Sequence, residues 1–134
     1  MIDKINSMQA LGVQHLGKVT SEKINALIGY QKPITLVDSS EGVRWNLRNG
    51  YNAKVTLAGN RTLVLQELTP GDYGTLEIIQ DIVGSRTLTL PSNSKVANGG
   101  GGILTLATTA NAIDIATFYY NGTNIFWNLT NNFT

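Results

Sequence analysis

The sequence predicts an all-β domain over residues 33–134, an antiparallel β-sandwich or barrel-like fold, preceded by a short helical segment over residues 1–32. Three observations carry this. Short runs alternate apolar and polar residues, the mark of half-buried strands, because side chains reverse face at every residue. Turn-forming clusters separate the runs at near-regular spacing. Helical spacing of apolar residues is confined to the N-terminal segment, and about eight or nine short strands follow it.

Ile2, Ile5 and Met8 are spaced by three, which suits a short helix. Gly12 and Gly17 interrupt the next stretch. Residues 20–29 predict a second helix of about two turns, with Thr20 or Ser21 accepting a bond from a free amide at its start and Gly29 suiting a left-handed exit. Ile24, Leu27 and Ile28 form its apolar stripe. Two turns do not hold themselves as an isolated helix, so the stripe must pack on the β-domain, a sister chain or another protein. Ile5, Met8, Ile24, Leu27 and Ile28 are therefore the candidate partner anchor.

From Pro33 the pattern is β. Ile34–Asp38 is a strand, and Ser39-Ser40-Glu41-Gly42 a turn. Val43, Trp45 and Leu47 share one face of the next strand. Lys54–Leu57 and Thr62–Leu65 flank Ala58-Gly59-Asn60-Arg61, which predicts a hairpin. Gly71–Pro91 predicts two strands joined by a tight turn at Gly84, with Leu76 and Ile78 opposite Thr75, Glu77 and Ile79, and Leu88 with Leu90. Asn98–Gly102 is a loop and Ile103–Leu106 a short strand. Ile113–Tyr120 runs into Asn121-Gly122, the strongest short hairpin signal, and Ile125, Trp127 and Leu129 share a face on the return.

The chain has 134 residues, 14% of them charged, against about 25% in an ordinary soluble protein. A net charge of +1 with no run of Lys or Arg speaks against nucleic-acid binding. Cysteine is absent, which removes disulfides and thiolate metal sites. The N-terminus lacks the pattern of a signal peptide, and no stretch has the length of a membrane-spanning helix. The expectation is a complete, non-secreted chain without membrane insertion. Its four Asn-X-Thr sequons then follow from composition. Residues 92–134 hold only Lys95 and Asp114 as charged groups. Sheet faces this neutral are normally covered, so part of the surface is expected to be buried by other chains.

A distinctive order of segments runs through roughly residues 37–134: Val55-Thr56-Leu57 with Gly59-Asn60 and Thr62-Leu63, then Gly71 and Gly74–Asp81. Gly84-Ser85-Arg86-Thr87-Leu88-Thr89-Leu90-Pro91, Asn111–Ile115 and Tyr120-Asn121-Gly122-Thr123 complete it. This order resembles a small β-domain of bacteriophage virion proteins, found at fibre tips and in capsid-surface fibres. The resemblance implies a homotrimer on the outer surface of the particle, with a part in host recognition and attachment. A short N-terminal segment in place of a long shaft points to a capsid (head) fibre, with residues 1–32 docking on other virion proteins. The alternative is a carbohydrate-binding receptor-recognition tip of a tail fibre.

Chemistry is sparse. His15 is the single histidine and lies before the β-domain, which fits neither a nucleophilic triad nor a zinc site. Asp38–Gly42 gathers oxygen ligands but lacks a calcium-loop pattern and is expected to be a turn. Glu67, Asp72, Glu77, Asp81 and Asp114 show no spacing that suggests glycoside hydrolysis. No enzyme and no cofactor are expected. Asp81 is expected to cap its turn and pair with Arg86, and Asp114, between Ile113 and Ile115, needs a partner if buried. Tyr119, Tyr120, Asn121, Asn124, Phe126 and Trp127 cluster around one hairpin. They are the candidate site for a host-surface glycan, since aromatic faces beside amides suit sugar rings. The competing expectation places Trp127 and Tyr119 in the core, with Tyr120 and Phe126 in a chain–chain contact.

Overall fold

A computed structural model describes residues 32–134. The candidate anchor residues Ile5, Met8, Ile24, Leu27 and Ile28, and His15, lie outside the described residues.

Among the described residues nine strands form: β1 Ile34–Thr35, β2 Val43–Asn46, β3 Asn52–Leu57, β4 Arg61–Gln66, β5 Tyr73–Gln80, β6 Leu88–Thr89, β7 Ser94–Val96, β8 Ile113–Tyr120 and β9 Ile125–Phe133. A single 3₁₀ turn, Ala97–Gly99, follows β7. The strands make a six-stranded sheet, ordered β1-β3-β5-β8-β9-β7, and a three-stranded sheet, ordered β2-β4-β6. The all-β expectation is met among the described residues.

The antiparallel expectation is not. Among the described strands only β5–β8 and β8–β9 are antiparallel. The pairs β1–β3, β3–β5, β2–β4, β4–β6 and β7–β9 are parallel. From β1 to β6, successive strands enter alternate sheets, so each pairs with the strand one coil earlier. Ile34 lies beside Ala53, 19 residues on, and Val43 beside Leu63, 20 residues on. The next coils are longer: Ala53 lies beside Leu76 and Arg61 beside Leu88. Parallel neighbours need a crossover of about a dozen residues or more, and here a strand of the opposite sheet supplies it in place of a helix. The predicted hairpins at 54–65 and 71–91 are therefore corrected, because their turns carry the chain from one sheet to the other.

Polar side chains tie the corners of successive coils together. Asp38 accepts from Arg61 Nε at 2.8 Å and from the Ala58 N–H at 3.1 Å in the following coil. Asn60 in turn accepts from the Thr87 N–H at 3.0 Å, while the Arg61 N–H donates to the Thr87 carbonyl at 2.9 Å. The turn at Ser39–Gly42 closes as expected, with the Gly42 N–H on the Ser39 carbonyl at 3.1 Å.

The core fills the space between the sheets. Val43, Trp45, Leu47 and Leu63 of the smaller layer meet Val55, Leu57, Leu76, Ile78, Phe118 and Trp127 of the larger. Trp45 meets Phe118 edge-on at 5.4 Å, and Phe118 meets Trp127 at 5.1 Å. Such aromatic pairs each add about 0.5–1.5 kcal/mol beyond the area they bury. Both indoles satisfy their N–H groups: Trp45 on the Gly50 carbonyl at 2.9 Å, and Trp127 on Ser94 Oγ at 3.1 Å. The Trp45 and Phe118 rings leave no room for a side chain at position 74: a Cβ there would come within 2.7 Å of each.

Ile103–Leu106 is not a strand, although its alternation is real: Leu104 and Leu106 are buried and Ile103 is exposed. Side chains take up much of its backbone pairing. Asn131 Nδ2 donates to the Thr105 carbonyl at 3.1 Å, and Gln80 Nε2 donates to the Ala107 carbonyl at 3.0 Å. The Ala107 N–H donates to Asp114 Oδ2 at 2.7 Å.

Candidate functional site

The β8–β9 hairpin forms as the Asn121-Gly122 signal predicts. Ile125 pairs with Tyr120, and the Asn121 carboxamide oxygen accepts from the Thr123 and Asn124 N–H groups at 2.9 and 2.8 Å. Gly122 takes a φ of +100°, which favours glycine. Asn121 is thus spent on the turn.

Strand alternation then separates the clustered aromatics. Ile125 and Trp127 face the core, and Trp127 is 1% exposed, so it offers no surface to a ligand. Tyr120 is half-buried against the core and its hydroxyl donates to the Gly122 carbonyl at 2.9 Å. Asn124 is half-buried at the turn. Tyr119 and Phe126 point outward from the six-stranded sheet, 51% and 39% exposed. Tyr119 is therefore not a core residue. Its parity along β8 is that of Thr117, not of Phe118.

Tyr119 and Phe126 sit opposite each other on β8 and β9, with ring planes 17° apart and centroids at 6.5 Å. Across the other edge of β8, Tyr119 lies opposite Tyr73 of β5, which is 62% exposed. Tyr73 in turn stacks on Tyr51 at 5.5 Å. Three aromatic residues thus form a row across β5, β8 and β9 at one end of the sheet, and Tyr51, half-buried against the core, stacks on its Tyr73 end. Sequence reasoning missed Tyr51 and Tyr73. The available signal was the parity of Tyr73, which shares its face with Thr75 and Glu77.

The opposite end of the same sheet is apolar. Ile79, Ile113 and Phe133 follow one another across β5, β8 and β9, and Ile82 and Val83 lie just beyond β5, 81% and 66% exposed.

Two acidic residues find the partners expected of them. Asp81 accepts from the Val83 and Gly84 N–H groups at 3.1 and 3.0 Å, and from Arg86 Nη2 at 2.9 Å. The Arg86 hydrogen bond leads in holding the Asp81 carboxyl down to about 2; the Gly84 and Val83 amides add to it, and desolvation opposes it. Asp114, 2% exposed, accepts from the N–H groups of Ala107 and Asn132, both at 2.7 Å, and from Asn131 Nδ2 at 3.1 Å. Asp38 is committed to Arg61, which leaves the 38–42 turn without its first candidate calcium ligand. Among the described residues no group of three or more His, Asp or Glu side chains is placed to hold a metal ion. A hollow of about 310 Å³ opens beside β4, lined by Leu63, Leu68, Pro91, Asn93 and Ile125, and none of its lining side chains titrates.

No protein-family model, curated protein or solved structure matches the chain.

Proposed function

We propose that the chain is a structural component of a bacteriophage virion. Three copies assemble into a short head fibre on the outer surface of the capsid. The N-terminal segment, residues 1–32, docks on other virion proteins and the β-domain projects outward, where it contributes to host attachment. The segment order from Val55 to Thr123 and its resemblance to virion fibre domains suggest the location. The observation that supports assembly is the apolar end of the six-stranded sheet. Ile82, Val83 and Phe133 are exposed together there, and large apolar side chains gathered at one end suit a contact between copies.

Multi-angle light scattering tests the assembly: a trimer is expected, and Ile82→Asp with Val83→Asp should dissociate it. A stable monomer of 14.5 kDa at micromolar concentration would count against the trimer. Imaging of purified particles with an antibody against residues 33–134 tests the location. Labelling on capsid vertices or faces is expected, and particles without the protein would overturn the virion assignment.

A further inference from the structure

We infer that the aromatic row on the outer face of the six-stranded sheet is a binding platform for an uncharged oligosaccharide, lying across the strands. This rests on the sheet face itself and not on the virion assignment.

The row is a line of exposed aromatic side chains. Tyr73, Tyr119 and Phe126 occupy opposed positions on β5, β8 and β9, neighbouring strands spaced about 4.8 Å apart, and the Tyr119 and Phe126 ring centroids stand 6.5 Å apart. One row along the strands, about 7 Å away, stand Thr75, Thr117 and Asn128, again opposite one another. These two hydroxyls and one carboxamide make no side-chain hydrogen bond among the described residues. A sugar ring presents an apolar C–H face and a rim of hydroxyls. Ring faces beside hydroxyl and amide groups match both parts at once. The rings sit on paired strands, so little ordering is left for binding to supply.

Charge selects the class of glycan. Neither row carries a charged side chain on β5, β8 or β9. The next row places Lys54 opposite Glu77, one charge of each sign, and Lys95 stands at the far edge of the aromatic row, opposite Phe126. Nothing there concentrates positive charge for an anionic sugar.

Shape selects an extended ligand. Two open hollows flank the row. One, of about 260 Å³, lies beside the Thr75 row and is bounded by Asn52, Lys54, Thr75 and Glu77; the other, of about 200 Å³, is bounded by Lys95, Phe126 and Asn128. Both fall below the roughly 300–1,000 Å³ of pockets that enclose a drug-sized molecule. They suit successive rings of a chain laid over the surface. A second copy fits this face less well, because it would bury Thr75, Thr117 and Asn128 and need a partner for each. The apolar end of the sheet offers it a better contact.

The test is a glycan array of neutral hexose and N-acetylhexosamine oligosaccharides, with sialylated and sulfated ones alongside, followed by titration calorimetry on hits. Binding to at least one neutral oligosaccharide is expected, with a dissociation constant of millimolar or tighter. Tyr119→Ala should weaken it about tenfold and Tyr73→Ala comparably. Thr117→Val should weaken it about threefold. All three side chains are on the surface, so thermal melting should be nearly unchanged. The inference is overturned by failure to bind any neutral oligosaccharide, by binding to anionic glycans alone, or by neutral binding that survives Tyr119→Ala. It is likewise overturned if Tyr119→Ala dissociates an oligomer of a protein that binds no glycan, which assigns the face to a second copy. Loss of capsid labelling in the imaging experiment would leave it intact.

Discussion

The side chain of Gln80 pairs with the backbone of Arg86 as a neighbouring strand would. The Arg86 N–H donates to Gln80 Oε1 at 2.8 Å, and Gln80 Nε2 donates to the Arg86 carbonyl at 2.9 Å. The second Nε2 proton goes to the Ala107 carbonyl at 3.0 Å. One buried amide thus pairs groups from two segments that have no ladder of their own at these positions.

Replacing Gln80 should therefore cost far more than its size suggests. Gln80→Leu leaves two carbonyls and one N–H without a partner, at about 1–3 kcal/mol for each group that stays dry. A net loss of about 3 kcal/mol is expected, which lowers the melting temperature by about 10–20 °C. Gln80→Glu sets a carboxylate against two carbonyls. Burial and those oxygens raise its folded pKa, so this variant should regain stability as pH falls toward about 4.3, the ordinary value for Glu. Urea unfolding at pH 7 and pH 4.5 reads both effects.

Asp81 makes the opposite pH signature. Its folded pKa, about 2, lies below that of an unfolded Asp, so the bound form is the carboxylate. The stability it contributes is present above about pH 4 and is lost as pH falls through the folded value. Asp81→Asn should flatten the acid limb of the stability curve between about pH 4 and pH 2. Denaturant midpoints measured across that range for both proteins test this, and parallel curves would refute it.

Asp114 holds β9 to the segment that precedes β8. Its carboxylate takes the Ala107 and Asn132 N–H groups, and Asp114→Ala strands both. A loss of about 2–4 kcal/mol is expected, because hydrogen bonds to a charged group are worth about 1.5–3 kcal/mol each. Hydrogen exchange should speed up first at the Ala107 and Asn132 amides, where protection depends on this side chain alone.

Gly71 and Gly84 separate backbone strain from crowding. Both have left-handed φ, +94° and +79°. A Cβ on Gly71 meets nothing within 4 Å, whereas one on Gly84 lies 2.5 Å from the Thr108 carbonyl oxygen and 2.9 Å from the Ala110 nitrogen. Gly71→Ala should cost about 1–2 kcal/mol from conformation alone. Gly84→Ala should cost clearly more, since backbone must move. Equal unfolding midpoints for the two would contradict this.

Much of the fold was legible in local pattern. The alternation in Val43–Leu47, Tyr73–Gln80 and Ile125–Leu129 assigned the buried face correctly, and Asn121-Gly122 marked the tight hairpin between β8 and β9. The Asp81–Arg86 pair was also legible, because it spans a single turn. The aromatic site was half legible: Tyr119 and Phe126 are neighbours through the hairpin, whereas Tyr73 comes from a strand some forty residues earlier.

The sequence by itself determined which side of each strand is apolar and where the chain turns, since both follow from residues within a few positions of one another. Tertiary structure alone decided the strand neighbours. Alternation is the same in a strand whichever way its partner runs, so a turn between two strands does not show whether they pair or part into separate layers. Here the core between the layers draws Trp45 and Leu63 to one sheet and Val55 and Ile78 to the other. The coil that results brings Tyr73, Tyr119 and Phe126 into one line, with Tyr51 stacked on Tyr73.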